Sequence, residues 1–195
     1  MTDKIVYFLR HGETVTNAAH VFAGQNDVPL NENGIAQAKA VAPLLAHIPF
    51  EKVYASDLQR AKHTAALALP NKECEYTAVI REIDVGSLVG KAVKDCIDAY
   101  GEPFLQCRKR FDYALFGGES REQLDARVAD FMQLLEQSAH GVIGVVCHGG
   151  VIRSVARYIL GDFNGLGAAE NCSICKVLYK DGKWSLSKWN VTALL

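Results

Sequence analysis

The chain has 195 residues, of which 49% are hydrophobic and 22% are charged, and its formal net charge is -1 at pH 7. This composition excludes an intrinsically disordered chain, and the near-neutral charge argues against a surface that binds nucleic acid or an anionic membrane. No segment has the apolar length of a bilayer span. We therefore expect one globular domain over residues 1–195, with no nucleic-acid partner and no membrane partner.

The N-terminus runs directly into the first predicted strand without the hydrophobic stretch of a secretion signal, so we expect a cytoplasmic protein. In such a protein the six cysteines are expected to be buried thiols rather than three disulfides. Cys172 and Cys175 have the spacing of half a zinc site or of a redox pair, but the lack of a second such pair favours packing in a strand. The sequence leaves their role undetermined, and it also leaves the oligomeric state open, with a homodimer as one option.

The first half of the chain alternates short apolar runs typical of strands with the periodicity of helices. Ser56 is the expected N-cap of the second helix, and Pro70 is expected to end it. The predicted elements are a strand at 4–9, a helix from 34 to 48, a strand at 52–55, a helix at 57–69 and a strand at 75–80. Strands that alternate with helices in this way predict a parallel sheet.

The second half begins with an irregular stretch, residues 90–118, that we interpret as a partly helical cap and that contains the basic run 108–110. Ser120 and Gln123 then have the spacing of a capping box. The helix predicted to follow runs to about residue 138, with its apolar face formed by Leu124, Val128, Phe131, Leu134 and Leu135. The remaining elements are a strand at 141–147, a helix at 151–160 and a hairpin of strands at 174–179 and 184–191 around an Asp-Gly turn.

Two histidines, His11 and His148, each stand directly before a glycine at the end of a predicted strand. Strand ends at the carboxyl edge of a sheet are where α/β folds bind ligands, and a following glycine permits close backbone approach. Either histidine taken singly is more often a structural residue. Their similar contexts predict that both face one cavity.

Two arginines, Arg10 and Arg60, follow strands and are therefore expected near the same sheet edge. Guanidinium groups hold phosphate oxygens through paired N–H donors, and the helix start at Gly149 adds partial positive charge. The site thus favours a dianion such as a phosphate monoester. Asn17 is a further candidate donor, although an asparagine in a loop more often bonds local backbone, and a lone arginine is more often a surface ion-pair partner.

Five segments carry motifs that are specific in combination because of their order along the chain: residues 9–14 with Asn17, 24–34, 53–64, 81–86 and 145–150. Together they resemble the histidine phosphatase superfamily, in its phosphoglycerate-mutase-like branch. The resemblance implies an α/β fold, a three-layer α/β/α sandwich around a mostly parallel six-stranded mixed sheet with one antiparallel strand. It also implies that a small cap is inserted at about 87–118.

By this resemblance His11 is the nucleophile that becomes phosphorylated, and Glu82 donates and later retrieves a proton. The phosphoryl group is held by side chains and backbone groups of Arg10, Arg60, His148, Asn17, Gly24, Gln25 and Gly149. An imidazole attacks phosphorus only when unprotonated, and at an ordinary pKa of about 6.5 much of His11 is available near neutrality. We expect Arg10, Arg60 and a protonated His148 to neutralise the phosphoryl charge, so that no metal and no other cofactor is needed.

The function expected is that of a metal-independent phosphomonoesterase acting on a small phosphorylated metabolite. The alternatives are a phosphoglycerate mutase-type phosphotransferase, which the short cap disfavours, and a non-catalytic phosphate-binding protein. A metal site built from His11, His148 and Cys147 is less favoured, because adjacent residues of a strand point to opposite faces. Thr16 and residues 88–90 depart from the family's usual pattern, which leaves the natural substrate undetermined.

Overall fold

The computed structural model describes residues 3–163 and 165–192, which form a mixed six-stranded sheet flanked by helices. The strand order is β3-β2-β4-β1-β5-β6. The strands are β1 (Lys4–Arg10), β2 (Lys52–Ser56), β3 (Glu75–Thr77), β4 (Val142–Cys147), β5 (Ile174–Lys180) and β6 (Lys183–Val191). Neighbours among β1 to β4 pair in parallel, whereas β5 is antiparallel to both β1 and β6. The predicted mixed sheet with one antiparallel strand is confirmed.

Six α-helices accompany the sheet in the described part of the chain. They are α1 (Val15–Ala18), α2 (Glu32–Ala46), α3 (Gln59–Ala68), α4 (Val93–Arg110), α5 (Arg121–Gln137) and α6 (Gly149–Leu160). Side chains alternate across the strands, so Phe8 joins the core beneath α5 and α6, while Leu9 joins the core beneath α2 and α3. The two cores lie on opposite faces of the sheet, which gives the three-layer α/β/α arrangement.

Local sequence signals account for several element ends. Ser120 Oγ accepts a hydrogen bond from the backbone N–H of Gln123 at 3.1 Å, and the Gln123 side chain accepts one from the N–H of Ser120 at 2.8 Å. Asp181 and Gly182 have φ values of 51° and 75°, as a tight hairpin turn requires. The predicted capping box and Asp-Gly turn are both confirmed.

Other expected boundaries are wrong. The residue before α3 is Leu58, which makes no side-chain cap, and Ser56 instead ends β2 with its hydroxyl turned to a histidine. The strand predicted at 75–80 ends at Thr77, because a 3-10 turn over Ala78–Ile80 follows. Leu134, placed by periodicity on the apolar face of α5, is 45% exposed. Each difference arises because long-range packing competes with local pattern.

The segment predicted as a cap consists of α4, two 3-10 turns and their connections. Helix α4 changes direction at Gly101, whose φ is 55°. The segment is tied to the loop after β1 by backbone bonds: Phe22 donates to Lys91 at 3.0 Å, Gly90 donates to Phe22 at 2.8 Å and Val93 donates to His20 at 2.9 Å. This part of the chain therefore lies beside the loop that follows the first His-Gly pair.

Among residues 3–163 and 165–192, none of the helices combines the length and the apolar character that a membrane crossing would need.

Candidate active site

The two histidines meet because β1 and β4 are neighbours in the sheet. Arg10 is in register with Cys147, and the backbone N–H of His11 donates to the carbonyl of Cys147 at 3.0 Å. The imidazole centroids of His11 and His148 are 5.1 Å apart. The sheet therefore brings together the two His-Gly pairs that sequence analysis assigned to one site.

The imidazole of His11 is held in a single tautomer. Its Nδ1 lies 2.7 Å from the carbonyl oxygen of Gly12, and because a carbonyl only accepts, Nδ1 carries the proton and Nε2 keeps a free lone pair. Burial, reinforced by the Arg10 and Arg60 guanidinium groups, holds the pKa of His11 well below its usual range. The ring is therefore neutral and nucleophilic near pH 7.

The absence of a side chain at Gly12 allows its backbone to pack closely against the backbone of α2, and not against a ligand. A Cβ atom at this position would stand 2.5 Å from the backbone oxygen of Gly34, near the start of α2. Its N–H donates to Thr64 Oγ1 on α3 at 3.0 Å. The close approach expected of this glycine occurs, but its partner is the backbone of α2.

Both predicted arginines line one cavity. Arg60 is 2% exposed and donates from Nη1 to Asn26 O at 2.9 Å and from Nη2 to Gly24 O at 2.8 Å. Arg10 donates from Nη1 to Ala169 O at 2.7 Å, while its buried Nε has no hydrogen-bond partner among the described residues. Burial lowers the pKa of both groups, yet guanidinium starts so high that both remain cations.

The carboxylate of Glu82 lies against the start of α6. Its Oε1 and Oε2 lie 3.0 and 3.2 Å from the backbone nitrogen of Gly150, and Oε1 also accepts from the N–H of Ile83 at 2.9 Å. A Cβ atom at position 150 would stand 2.1 Å from Oε1. The two consecutive glycines were expected to open this helix with free N–H groups, and Gly149 was the predicted ligand of the phosphoryl group. The bond from Gly150 to Glu82 was not predicted.

Arg127, in the middle of α5, holds the backbone of the segment that carries Glu82. Its Nη1 donates to Val79 O and to Arg81 O, both at 2.7 Å, and its Nη2 donates to Glu82 O at 3.2 Å. The guanidinium is itself paired with Glu119 through Nε at 2.7 Å and Nη2 at 2.9 Å. No motif marked Arg127, because only the tertiary structure places α5 beside residues 79–82.

His148 is fully buried behind His11. Its Nε2 is 2.8 Å from Ser56 Oγ, and its Nδ1 has no partner within the described residues. Burial and the positive charges of Arg60 and Arg10 hold the pKa of His148 well below its usual range. Burial among cations therefore favours the neutral ring in the protein without bound phosphate. The protonated His148 expected beside a bound phosphoryl group stays a prediction.

The cavity has a volume of about 180 Å³. Six predicted site residues line it: Arg10, His11, Asn17, Gly24, Arg60 and Glu82. His148, Gln25 and Gly149 are not among the lining residues. The Gln25 side chain donates to Glu82 O at 3.2 Å, and the Asn17 side-chain oxygen accepts from the N–H of Thr14 at 3.2 Å. These two amides support the loops around the cavity.

A larger groove of about 860 Å³ lies between α4, α5 and α6, and none of the predicted site residues lines it. Two of its arginines are already paired, Arg157 with Asp125 and Arg121 with Glu122. The smaller cavity contains His11, the two arginines and the Glu82 carboxylate, so we regard it as the candidate active site.

A parallel sheet edge that brings a neutral histidine, two buried guanidinium groups and a carboxylate to one cavity is typical of α/β enzymes that act on phosphoryl groups. Comparison with known proteins identifies the family. Residues 6–192 match the model of the histidine phosphatase superfamily (branch 1), and the chain belongs to this superfamily of phosphatase enzymes.

Proteins similar in sequence include one named as a phosphatase and one named as a probable mutase. The chain is 33% identical over 193 residues to a metal-independent phosphoserine phosphatase of Arabidopsis thaliana, covering 95% of this chain and 80% of the relative. It is 32% identical over 201 residues to a probable phosphoglycerate mutase of Salmonella paratyphi A, covering 95% and 90%.

Solved structures share the fold over nearly the whole chain. The structure of mycobacterial hydrolase 1 has a TM-score of 0.90 at 27% identity, covering 98% of this chain and 100% of that chain. A phosphoglycerate mutase from Bacillus anthracis has a TM-score of 0.86 at 26% identity, covering 98% and 94%.

Proposed function

We propose that the protein is a metal-independent phosphomonoesterase that hydrolyses a small phosphorylated metabolite through a phosphohistidine on His11. The observation that carries this proposal is the 2.7 Å bond from His11 Nδ1 to the Gly12 carbonyl. Because Nδ1 carries the proton, Nε2 is left unprotonated in the cavity that Arg10 and Arg60 also line. A nucleophile and two cations at one cavity are what phosphoryl transfer needs.

In the first step His11 Nε2 attacks phosphorus and the bond from phosphorus to the ester oxygen breaks. Glu82 enters protonated and transfers its proton to that oxygen, so the alcohol leaves neutral. In the second step the Glu82 carboxylate takes a proton from water, the resulting hydroxide attacks phosphorus and the P–N bond breaks. Inorganic phosphate, neutral His11 and protonated Glu82 are then restored.

The orphaned polar atoms at the site support phosphoryl binding. Arg10 Nε and His148 Nδ1 are buried without partners among the described residues, and buried polar atoms are rarely left unpaired. Phosphoryl oxygens supply acceptors for both. A bound dianion also raises the pKa of His148 from its lowered value, so that His148 is expected to take up a proton when substrate binds.

A phosphoglycerate mutase-type reaction is the second candidate, because one relative is named a probable phosphoglycerate mutase. Transfer from a bisphosphate requires cations for two phosphate groups. The charged and histidine side chains lining the cavity in the described chain are Arg10, His11, Arg60 and Glu82. Both cations are engaged by one phosphoryl group, which favours hydrolysis.

The decisive experiment is phosphate release from p-nitrophenyl phosphate in excess EDTA. We expect the unmodified protein to turn over, His11→Ala to lose activity, and the matched variant His140→Ala, at a site 43% exposed, to retain it. Acid-labile phosphate trapped on His11 identifies the intermediate. Turnover by His11→Ala at the unmodified rate contradicts the proposal, and efficient interconversion of 3- and 2-phosphoglycerate with a bisphosphate primer replaces it with the mutase reaction.

The cysteines support our further proposal that the protein works in the reducing cytoplasm. All six are free thiols. Cys172 and Cys175 are buried, and burial raises the pKa of Cys172 to about 12 and that of Cys175 to about 11, so both are protonated thiols in the protein described here.

A further inference from the structure

Apart from its charged groups and the polar residues Thr14 and Asn17 on the β1 side, the cavity is lined mainly by apolar and aromatic side chains. Val21 and Phe22 come from the loop after β1, Ile83 and Val85 follow Glu82, and Phe111 and Tyr113 follow α4. Because the phosphoryl group is held by Arg10 and Arg60 in the proposed reaction, this wall is what remains to contact the leaving group. Its chemistry therefore decides which alcohol is accepted.

The aromatic part of the wall is preformed. Phe22 and Tyr113 make an edge-to-face contact with centroids 5.9 Å apart, and Phe111 and Tyr113 make another at 5.8 Å. Phe22 also packs at 5.9 Å against the fully buried Phe104. Such contacts fix ring orientation, so the wall cannot be exchanged for a polar one by simple side-chain rotation.

Among the described residues, no lysine, arginine or histidine belongs to this wall, so the wall offers no positive charge to a second anionic group. Two nearby cations lie outside the wall in the described structure: Arg153 stacks on Phe111 at 5.1 Å and on Phe163 at 4.4 Å, and Lys91 Nζ donates to Tyr100 at 2.7 Å. Neither lines the cavity. Burial and the Glu82 charge raise the pKa of Tyr113 to about 12, so its hydroxyl is neutral.

From this wall we infer that the natural substrate is a phosphomonoester whose leaving alcohol is apolar or aromatic and carries no carboxylate or second phosphate. The inference rests on the proposed function and narrows it. Desolvating an unpaired carboxylate against Phe22, Val85 and Phe111 costs free energy, whereas an apolar alcohol gains by burial there.

The test compares alkyl esters that differ in leaving-group charge. We expect kcat/KM for 2-phenylethyl phosphate to exceed kcat/KM for 3-phosphoglycerate and for O-phosphoserine by about a hundredfold. p-Nitrophenyl phosphate reports the basal reaction. This inference alone is overturned if p-nitrophenyl phosphate is hydrolysed but kcat/KM for 3-phosphoglycerate or O-phosphoserine equals or exceeds kcat/KM for 2-phenylethyl phosphate. If no ester is hydrolysed, the proposed function fails as well.

A charge added to the wall provides a second test. Val21 is half-buried and lines the cavity, whereas Val15, six residues earlier, is 54% exposed and does not. Val21→Lys is expected to raise the ratio of kcat/KM for 3-phosphoglycerate to that for 2-phenylethyl phosphate about tenfold. Val15→Lys adds the same charge outside the cavity and is expected to leave the ratio unchanged. Equal ratios for the two folded variants contradict the inference.

Discussion

The chemistry of His11 depends on neighbours that are both adjacent and distant in the chain. Gly12, the next residue, accepts the hydrogen bond that fixes the tautomer, while Arg60 on α3 contributes to the lowered pKa. His148 is subject to the same combination of burial and positive charge. Near neutral pH both rings are therefore neutral in the protein without bound phosphate.

This protonation state can be measured directly. We expect the imidazole Cε1 resonances of His11 and His148 to show neutral rings at about pH 6, where a histidine of ordinary pKa, about 6.5, is mostly protonated. Two-dimensional ¹³C–¹H spectra recorded against pH, assigned with His11→Gln and His148→Gln, provide the measurement. A midpoint at or above 6.5 for either ring is incompatible with the environment described.

Two neighbouring glycines give a matched pair of substitutions. Gly150→Ala places a Cβ atom 2.1 Å from Glu82 Oε1, so the carboxylate must move, and a displacement of about 1 Å lowers kcat about a hundredfold. Gly149→Ala places its Cβ 3.5 Å from Arg10 Nε, an ordinary contact, and a much smaller loss is expected. Steady-state kinetics with an alkyl phosphate compare them, and equal losses count against a positional role for Gly150.

At the scale of elements, α5 positions the segment that carries Glu82, the proposed proton donor. Arg127 bonds three backbone carbonyls between residues 79 and 82, and its partner Glu119 accepts from the N–H of Asp84 at 3.3 Å. The pair therefore holds the backbone on both sides of Glu82. We expect Arg127 to act as a positioning residue for proton transfer.

Substrates with different leaving groups test this role. Arg127→Lys loses the forked geometry of guanidinium, so we expect kcat/KM to fall about tenfold or more for an alkyl phosphate, whose leaving oxygen needs a proton. For p-nitrophenyl phosphate, whose p-nitrophenolate leaves readily without a proton, we expect kcat/KM to change by less than about threefold. Arg157→Lys is the matched control, because Arg157 pairs with Asp125 away from the cavity. An equal loss with both substrates indicates a general structural effect instead.

For the whole molecule, two buried neutral histidines make stability depend on pH. The unfolded chain protonates both rings as the pH falls through about 6.5, whereas the folded chain, with lowered pKa values, does not. Unfolding then takes up protons, so the free energy of unfolding falls as the pH decreases below about 6.5.

Urea unfolding at about pH 7.5 and pH 5.5 measures this dependence. We expect each histidine to contribute about 1 kcal/mol to the decrease between the two values. His11→Gln removes one of the two groups. We therefore expect the free energy of unfolding of this variant to decrease by about 1 kcal/mol less between the two pH values than that of the unmodified protein. The same decrease in both proteins contradicts the linkage.

Much of the fold and of the candidate site follows from local features of the chain. Period-two and helical patterns place five of the six strands and the flanking helices to within a few residues, and the Ser120 capping box and Asp181–Gly182 turn act within four residues of sequence. The nucleophile candidate His11 and the cations Arg10 and Arg60 are recognisable because their positions at strand and helix ends are themselves local properties.

Only the tertiary structure determines the protonation states and the hydrogen-bond partners of these residues. The strand order β2-β4-β1 brings Ser56 to His148 and His148 to His11, and packing of α5 places Arg127 on the backbone of Glu82. Protonation state depends on burial and on charges from every surrounding element. Contacts across tens of residues leave no periodic trace in the chain, which is why the need for Gly150 and the neutral state of His148 emerge only when the elements are packed together.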